Sequence, residues 1–217
     1  MLRFNFLGFP VRIEWMFWII VILLGMNGLQ TPGTQGIINL LVWAAVLFTA
    51  VLLHELGHAL ARKRYRAPYS EIVLTGFGGY CAGPGSFTRN ESMAISFAGP
   101  LVNLVLAGIF YAVLKAPIEP HPVLRQFITL SLYTNSALFI LNLLPVLPLD
   151  GGRILEAFLA NRSNAGKIVP MVGLIVAIIV AVYGISIGLL FLAVLFGYLA
   201  FLNFQRLQGG PTPGLPR

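Results

Sequence analysis

The strongest constraint on this chain is an uncharged run over residues 168–205. As one helix at 1.5 Å per residue it would be about 57 Å long, against about 30 Å for the hydrocarbon core of a bilayer. A single crossing cannot accommodate that length. We therefore expect the run to form two membrane-spanning helices that fold back at residues 183–188.

The composition excludes a soluble domain and a disordered chain. Hydrophobic residues make up 58% of the sequence, charged residues 10%, and the mean hydropathy is +0.86, whereas soluble domains carry about 25% charge. The single cysteine excludes an internal disulfide framework. The net charge of +7 comes without a long basic or aromatic–basic tract, so it predicts membrane orientation and no nucleic-acid partner.

Four further segments are apolar enough to be interpreted as spans, which brings the total to six. They are residues 15–29, 36–61, 91–114 and 126–144. Thr88 and Glu91 form a capping box at the start of the third span. The predicted fold is an all-α membrane protein with six transmembrane helices, a single multi-pass domain over residues 1–208, and a Gly/Pro-rich, disordered tail over residues 209–217.

The distribution of basic residues orients these spans. Six crossings place both termini on one side of the membrane, together with 12 of the 14 Lys and Arg residues. The remaining two, Lys115 and Arg125, fall on the other side. Because basic residues concentrate on the cytoplasmic side, we expect a multi-pass protein of the cell membrane with both termini in the cytoplasm.

Residues 67–87 fit no helix. They contain two short strand-like pieces around Gly76, Gly78 and Gly79, and they are too few to cross the membrane and return as helices. Irregular backbone at membrane depth is tolerated only where protein or a water-filled cavity covers it. The segment predicts a short membrane-associated β-hairpin between the second and third spans; the alternative is a surface loop.

The chemistry-bearing motif is His54-Glu55-Leu56-Gly57-His58, within the second span. On a helix, residues four apart share a face, so both imidazoles can bind one metal ion while Glu55 reaches a water molecule. Inserting a charge at the centre of a spanning helix costs roughly 2.5–3.5 kcal/mol. That cost favours a functional role over a purely structural one.

The motif supplies two ligands, and a catalytic zinc site usually has three from the protein. His121 lies between two prolines in a loop predicted on the opposite side, and is disfavoured. Asp150, the only aspartate, follows a segment broken by Pro145 and Pro148, and is the better candidate. Its alternative is a helix N-cap. For Asn103, an interhelical hydrogen bond and a contact to a metal ligand both stay open.

Three motifs in this order resemble the site-2 protease family of intramembrane zinc metalloproteases. They are H-E-L-G-H at residues 54–58, F-A-G-P-L-V-N at 97–103 and N-L-L-P-V-L-P-L-D-G at 142–151. The resemblance implies Zn²⁺ bound by His54, His58 and Asp150, with Glu55 as catalytic base. It also implies that Asn142 lies near the substrate carbonyl and that the hairpin around Gly78 and Gly79 pairs with substrate.

The sequence thus predicts an intramembrane zinc metalloendopeptidase that cleaves transmembrane or membrane-proximal segments of other membrane proteins, as in regulated intramembrane proteolysis. Its expected partners are such substrates and the lipid bilayer, and a homo-oligomer is compatible with the sequence. The alternative is a membrane metal transporter or metal-binding scaffold. A transporter has no need of Glu55, and it usually carries more ionisable residues along its pathway.

Overall fold

The computed structural model describes residues 1–117 and 119–209. The predicted tail, apart from Gly209, lies outside the described residues. The elements are β1 (Leu2–Phe6), β2 (Phe9–Ile13), α1 (Trp15–Gly25), α2 (Thr34–Arg64), β3 (Glu71–Thr75), β4 (Gly78–Ala82), α3 (Arg89–Lys115), α4 (Pro122–Asn142), α5 (Asp150–Phe158), α6 (Ala165–Ser186) and α7 (Leu190–Leu207). A 3₁₀ helix, Met26–Gln30, continues α1.

The helical content of the prediction is confirmed. Each predicted span contains a helix, and the uncharged run breaks between Ser186 and Leu190, close to the expected turn. Within the described residues, four helices are long and apolar enough to cross a membrane, namely α2, α3, α6 and α7. The first predicted span holds α1, which has only 11 residues before its 3₁₀ extension, and the fourth holds α4, which is not among those four helices. Six crossings therefore stay a prediction.

The all-α description was wrong about the strands. The expected hairpin exists as β3 and β4, but it is half of a four-stranded sheet of order β1-β2-β3-β4. Strands β1 and β2 form an antiparallel hairpin, and β2 pairs with β3 in parallel. Apolar and polar residues alternate over much of residues 2–13, which is the period of a half-buried strand. Because the basic residues of this segment entered the prediction only through the orientation of the spans, the strand pattern was missed.

The described chain divides into two compact units. The first contains residues 1–86 and 98–139. Its core joins the sheet to α1 and to the second half of α2, and the buried side chains include Val11, Ile13, Phe17, Leu52, Leu56, Ala59, Ile72 and Leu74. Arg62, near the end of α2, donates hydrogen bonds to Ser70 and to the carbonyls of Gly83 and Pro84. These bonds hold both ends of the hairpin against α2.

The second unit contains residues 87–97 and 140 onward. It opens on the predicted capping box, which is confirmed: the Thr88 N–H donates to the Glu91 carboxylate at 2.8 Å, and the Glu91 N–H donates to Thr88 Oγ1 at 3.4 Å. Helices α6 and α7 pack around Ala177 and Phe196. The Asn203 side chain of α7 donates to the carbonyl of Leu147 at 2.7 Å, which ties the proline-containing segment to this helix pair.

Candidate metal centre

Helix α2 places three polar side chains in the buried interior of the first unit. His54, Glu55 and His58 are 5%, 4% and 7% exposed. The Nε2 atoms of the two histidines lie 3.1 Å apart, and their rings are nearly perpendicular, at 82°. Two nitrogens bound to one tetrahedral zinc at about 2.05 Å would be about 3.3 Å apart. The imidazole pair therefore has the spacing of two zinc ligands.

The strand β4 lies directly against Glu55. A Cβ atom built on Gly79 would be 2.5 Å from Glu55 Cγ and 2.6 Å from Glu55 Oε1. Only a glycine allows the strand to approach the carboxylate this closely. Its neighbour Gly78 has a φ of +115° and open space around a virtual Cβ. Of the two predicted substrate-binding glycines, the structure thus places Gly79 against Glu55.

Gly99 of α3 was missed as a site residue. A Cβ on this residue would lie 2.7 Å from His54 Nε2 and closer still to Nε2 of His58. Any side chain at this position would therefore occupy the space next to the Nε2 atoms of both imidazoles. The signal was present in the F-A-G-P-L-V-N motif, where Gly99 and Asn103 are four apart and so share a helix face.

Asn103 contacts His54 directly. Its Oδ1 lies 2.5 Å from His54 Nδ1, and its Nδ2 donates to Asn135 Oδ1 of α4 at 2.8 Å. Both interpretations left open by the sequence therefore describe real contacts of this side chain: it bonds to a neighbouring helix and to one of the imidazoles.

Asp150 and Asn142 belong to the second unit. Asp150 is the first residue of α5 and is buried, and Asn142 is the half-buried last residue of α4. Backbone packing fixes the start of α5: a Cβ on Gly151 would lie 2.5 Å from the Leu144 carbonyl oxygen, and one on Gly152 would lie 2.7 Å from that of Val146. The two prolines before Asp150 and the two glycines after it thus allow a tight turn that fixes the position of the aspartate at the start of α5.

The donor chemistry suits zinc. His54 and His58 of the first unit and Asp150 of the second supply a group of two imidazoles and one carboxylate, which is a known catalytic zinc set. His121 does not belong to that group. Its side chain is exposed, and its Nδ1 accepts a hydrogen bond from the N–H of Val123 at the start of α4.

Comparison with known proteins matches the chain to a peptidase family and to several of its relatives. The model of the family described as "Peptidase family M50" matches residues 42–119 and 119–182. The zinc metalloprotease MJ0392 of Methanocaldococcus jannaschii is 31% identical over 192 residues, 84% of this chain and 53% of that protein. Stage IV sporulation protein FB of Bacillus subtilis is 32% identical over 149 residues, 67% of this chain and 46% of that protein. The chain thus spans about half the length of these relatives.

The fold has a solved counterpart. The structure of a site-2 protease from Methanocaldococcus jannaschii superposes with a TM-score of 0.68, covering 100% of this chain and 99% of that one at 24% sequence identity. At that identity the likeness concerns the fold.

Proposed function

The chain belongs to Peptidase family M50, and from this premise we propose that it is an intramembrane zinc metalloendopeptidase. One observation carries the proposal. Two imidazole nitrogens converge to 3.1 Å inside an apolar helix, and a buried carboxylate stands next to them on the same helix. Such groups are costly in a membrane span and are retained for function.

The ligands of the zinc ion would be Nε2 of His54, Nε2 of His58 and a carboxylate oxygen of Asp150. Three protein ligands leave a fourth tetrahedral position open, as hydrolysis requires. Zinc bound there supplies Lewis-acid polarisation and makes its water ligand more acidic. A ligand set of two neutral imidazoles and one carboxylate also limits the charge that the apolar surroundings must accommodate.

Glu55 would carry the proton during peptide hydrolysis. Its carboxylate accepts a proton from the attacking water and then delivers it to the leaving amine. The glycine contact at residue 79 keeps the strand backbone within reach of the same carboxylate. Asn142 would donate a hydrogen bond to the carbonyl oxygen of the substrate as negative charge develops on it.

The substrate would be the transmembrane or membrane-proximal segment of another membrane protein, as in regulated intramembrane proteolysis. A helix hides its carbonyls in its own hydrogen bonds, so the segment must be extended before cleavage. Strand β4 has β3 as its one partner among the described strands. Its other edge can therefore bind an extended segment by β-augmentation, with Gly79 beside Glu55 and Gly78 next to it on the strand. Spans that contain glycine, proline or asparagine should be cut preferentially.

Prolines in β4 test this docking. Successive N–H groups of a strand point to opposite edges, so one of Tyr80→Pro and Cys81→Pro removes a donor from the outer edge. We expect cleavage to fall in that variant while bound zinc is retained. Phe4→Pro and Asn5→Pro in β1, the other edge of the sheet, are matched controls expected to cut normally. Wild-type cleavage by both β4 variants would point to a substrate site elsewhere.

The proposal includes six crossings with both termini in the cytoplasm, supported by the 12-to-2 distribution of Lys and Arg. Reporter fusions at Gly209 and at Glu119 should report opposite sides of the membrane, the first of them cytoplasmic. An internal control is a fusion at Arg64, which ends α2 in a basic cluster and should also be cytoplasmic. If Gly209 and Glu119 fall on one side, the topology is wrong.

Purified protein in detergent tests the activity itself. Zinc is quantified, and a panel of single-span substrates with glycine or proline in the span is followed by gel. We expect about one zinc per chain and cleavage within or beside the span. Protein that binds zinc but cuts none of the panel counts against a protease. Zinc flux across vesicles that contain the protein would instead favour the transporter.

A further inference from the structure

The buried side chains of Asn103 and Asn135 form a relay that ends on His54. We infer that this relay fixes the ring proton of His54 on Nδ1 and leaves the Nε2 lone pair facing the metal position. Asn103 and Asn135 are thus positioning residues. The assignment of the proton rests on the geometry of the first unit alone, whereas its consequence for zinc rests on the proposed function.

The direction of the relay is set at its far end. The backbone carbonyl of Ser131 can only accept, so the Asn135 side-chain group 2.8 Å away must be its NH₂. Asn135 Oδ1 then faces Asn103 and can only accept as well. The group of Asn103 that meets it at 2.8 Å must therefore be Nδ2. A flipped amide at either position would place two acceptors or two donors against each other.

The same logic reaches the imidazole. With Nδ2 directed at Asn135, and also 3.4 Å from the Ala50 carbonyl, Asn103 presents Oδ1 to His54 Nδ1 at 2.5 Å. An amide oxygen has no proton to donate, so Nδ1 must carry one. In a neutral imidazole the other nitrogen is then the acceptor. That nitrogen, Nε2, is the one 3.1 Å from Nε2 of His58.

Because they are buried, the side chains of the relay have only one another, His54 and nearby backbone carbonyls as hydrogen-bond partners among the described residues. Asn103, Asn135 and Ser131 are 0%, 1% and 2% exposed, so bulk water offers no alternative partners at this depth. A partly satisfied buried polar network is disfavoured, whereas a complete one is rigid and selects a single arrangement. The neutral amide of Asn103 also orients the His54 imidazole without adding a negative charge to an apolar span.

The tautomer is measurable without metal or substrate. The chain has three histidines, so ¹⁵N-histidine labelling of the metal-free protein in alkaline buffer gives few signals, and His54→Asn identifies the one of interest. We expect the proton of His54 on Nδ1. A proton on Nε2 in the wild-type protein overturns the inference, whether or not any variant folds.

Two substitutions at Asn135 separate orientation from packing. Asn135→Leu removes the acceptor that orients Asn103, so both His54 tautomers should appear and zinc affinity, measured by chelator competition, should fall about 10–100-fold. Asn135→Asp in its neutral form offers the same two functions, an acceptor towards Asn103 and a hydroxyl that donates to the Ser131 carbonyl, and should retain the wild-type tautomer. Gln126→Leu is a matched control, because it removes another α4 amide that bonds to α2, through Asn39 at 3.1 Å, and should change neither quantity.

The outcomes distinguish this inference from the proposed function. Asn135→Leu with the wild-type tautomer and zinc affinity would overturn the relay while leaving a protease possible. A second outcome is a wild-type protein that has the proton on Nδ1 but cleaves no substrate, together with weakened zinc binding in Asn135→Leu. This outcome would support the relay and contradict the proposed activity.

Discussion

Glu55→Gln should nearly abolish peptide cleavage and leave zinc binding intact. Glutamine keeps the size and polarity of the side chain but cannot accept a proton from the attacking water. General acid–base help is typically worth about 10²–10⁴-fold, so the loss of cleavage should reach at least that range. The two imidazoles contact each other and α3, and the substitution leaves their atoms unchanged, so zinc should stay near one per chain.

The comparison needs the same purified protein for both measurements. Zinc is counted on the sample used for cleavage, and uncut substrate should co-purify with the variant. Glu119→Gln makes the same chemical change in the loop before α4 and should cut at the wild-type rate. Wild-type cleavage by Glu55→Gln would end the proposed mechanism, whereas loss of zinc would show that Glu55 supports the metal site.

Asp150→Ala should remove both zinc and activity. The change deletes one of three proposed ligands, so the loss of zinc affinity should exceed the roughly 10–100-fold that loss of an outer-sphere partner costs. Cleavage should become undetectable at zinc concentrations that saturate the wild-type protein. Adding zinc should restore a part of the binding before it restores any cleavage, because the two imidazoles remain on α2.

A control on the same short helix separates metal binding from folding. Glu156 pairs with Arg206 through an ion pair in the second unit, so Glu156→Ala removes a carboxylate of α5 without touching the proposed ligand set. It should retain zinc. Asp150→Asn tests charge at nearly constant size and should resemble the alanine variant. Full activity in Asp150→Ala would mean that the third ligand is another residue.

The helices and the pairing of His54 with His58 could be predicted from the sequence because they depend on local pattern. Runs of apolar residues specify spanning helices regardless of their neighbours, and the i, i+4 spacing of His54 and His58 needs only the helix itself. The break between α6 and α7 likewise follows from length alone. These features do not depend on how the rest of the chain packs.

The features that escaped prediction depend on residues far apart in sequence. The pairing of Val11 with Ile72 joins segments separated by two helices, and no local pattern specifies that partner. Gly99 gains its meaning only when α3 lies against the imidazoles. For Asn103 the sequence left two contacts open, and only the packing of α4 reveals that Asn135 binds the same amide. Tertiary contact, and not propensity, decides each of these.

The parallel pairing of β2 with β3 also constrains how the chain can be threaded through a bilayer. Hydrogen-bonded strands lie at one depth, since neighbouring strands are less than about 5 Å apart. The intervening chain, which contains α1 and α2, must therefore leave and return to the same leaflet, crossing the membrane an even number of times. If α2 crosses, the segment Trp15–Gln30 must cross with it despite its shortness. These two helices must then insert as a pair, and β2 can form hydrogen bonds with β3 only after the chain has returned through α2.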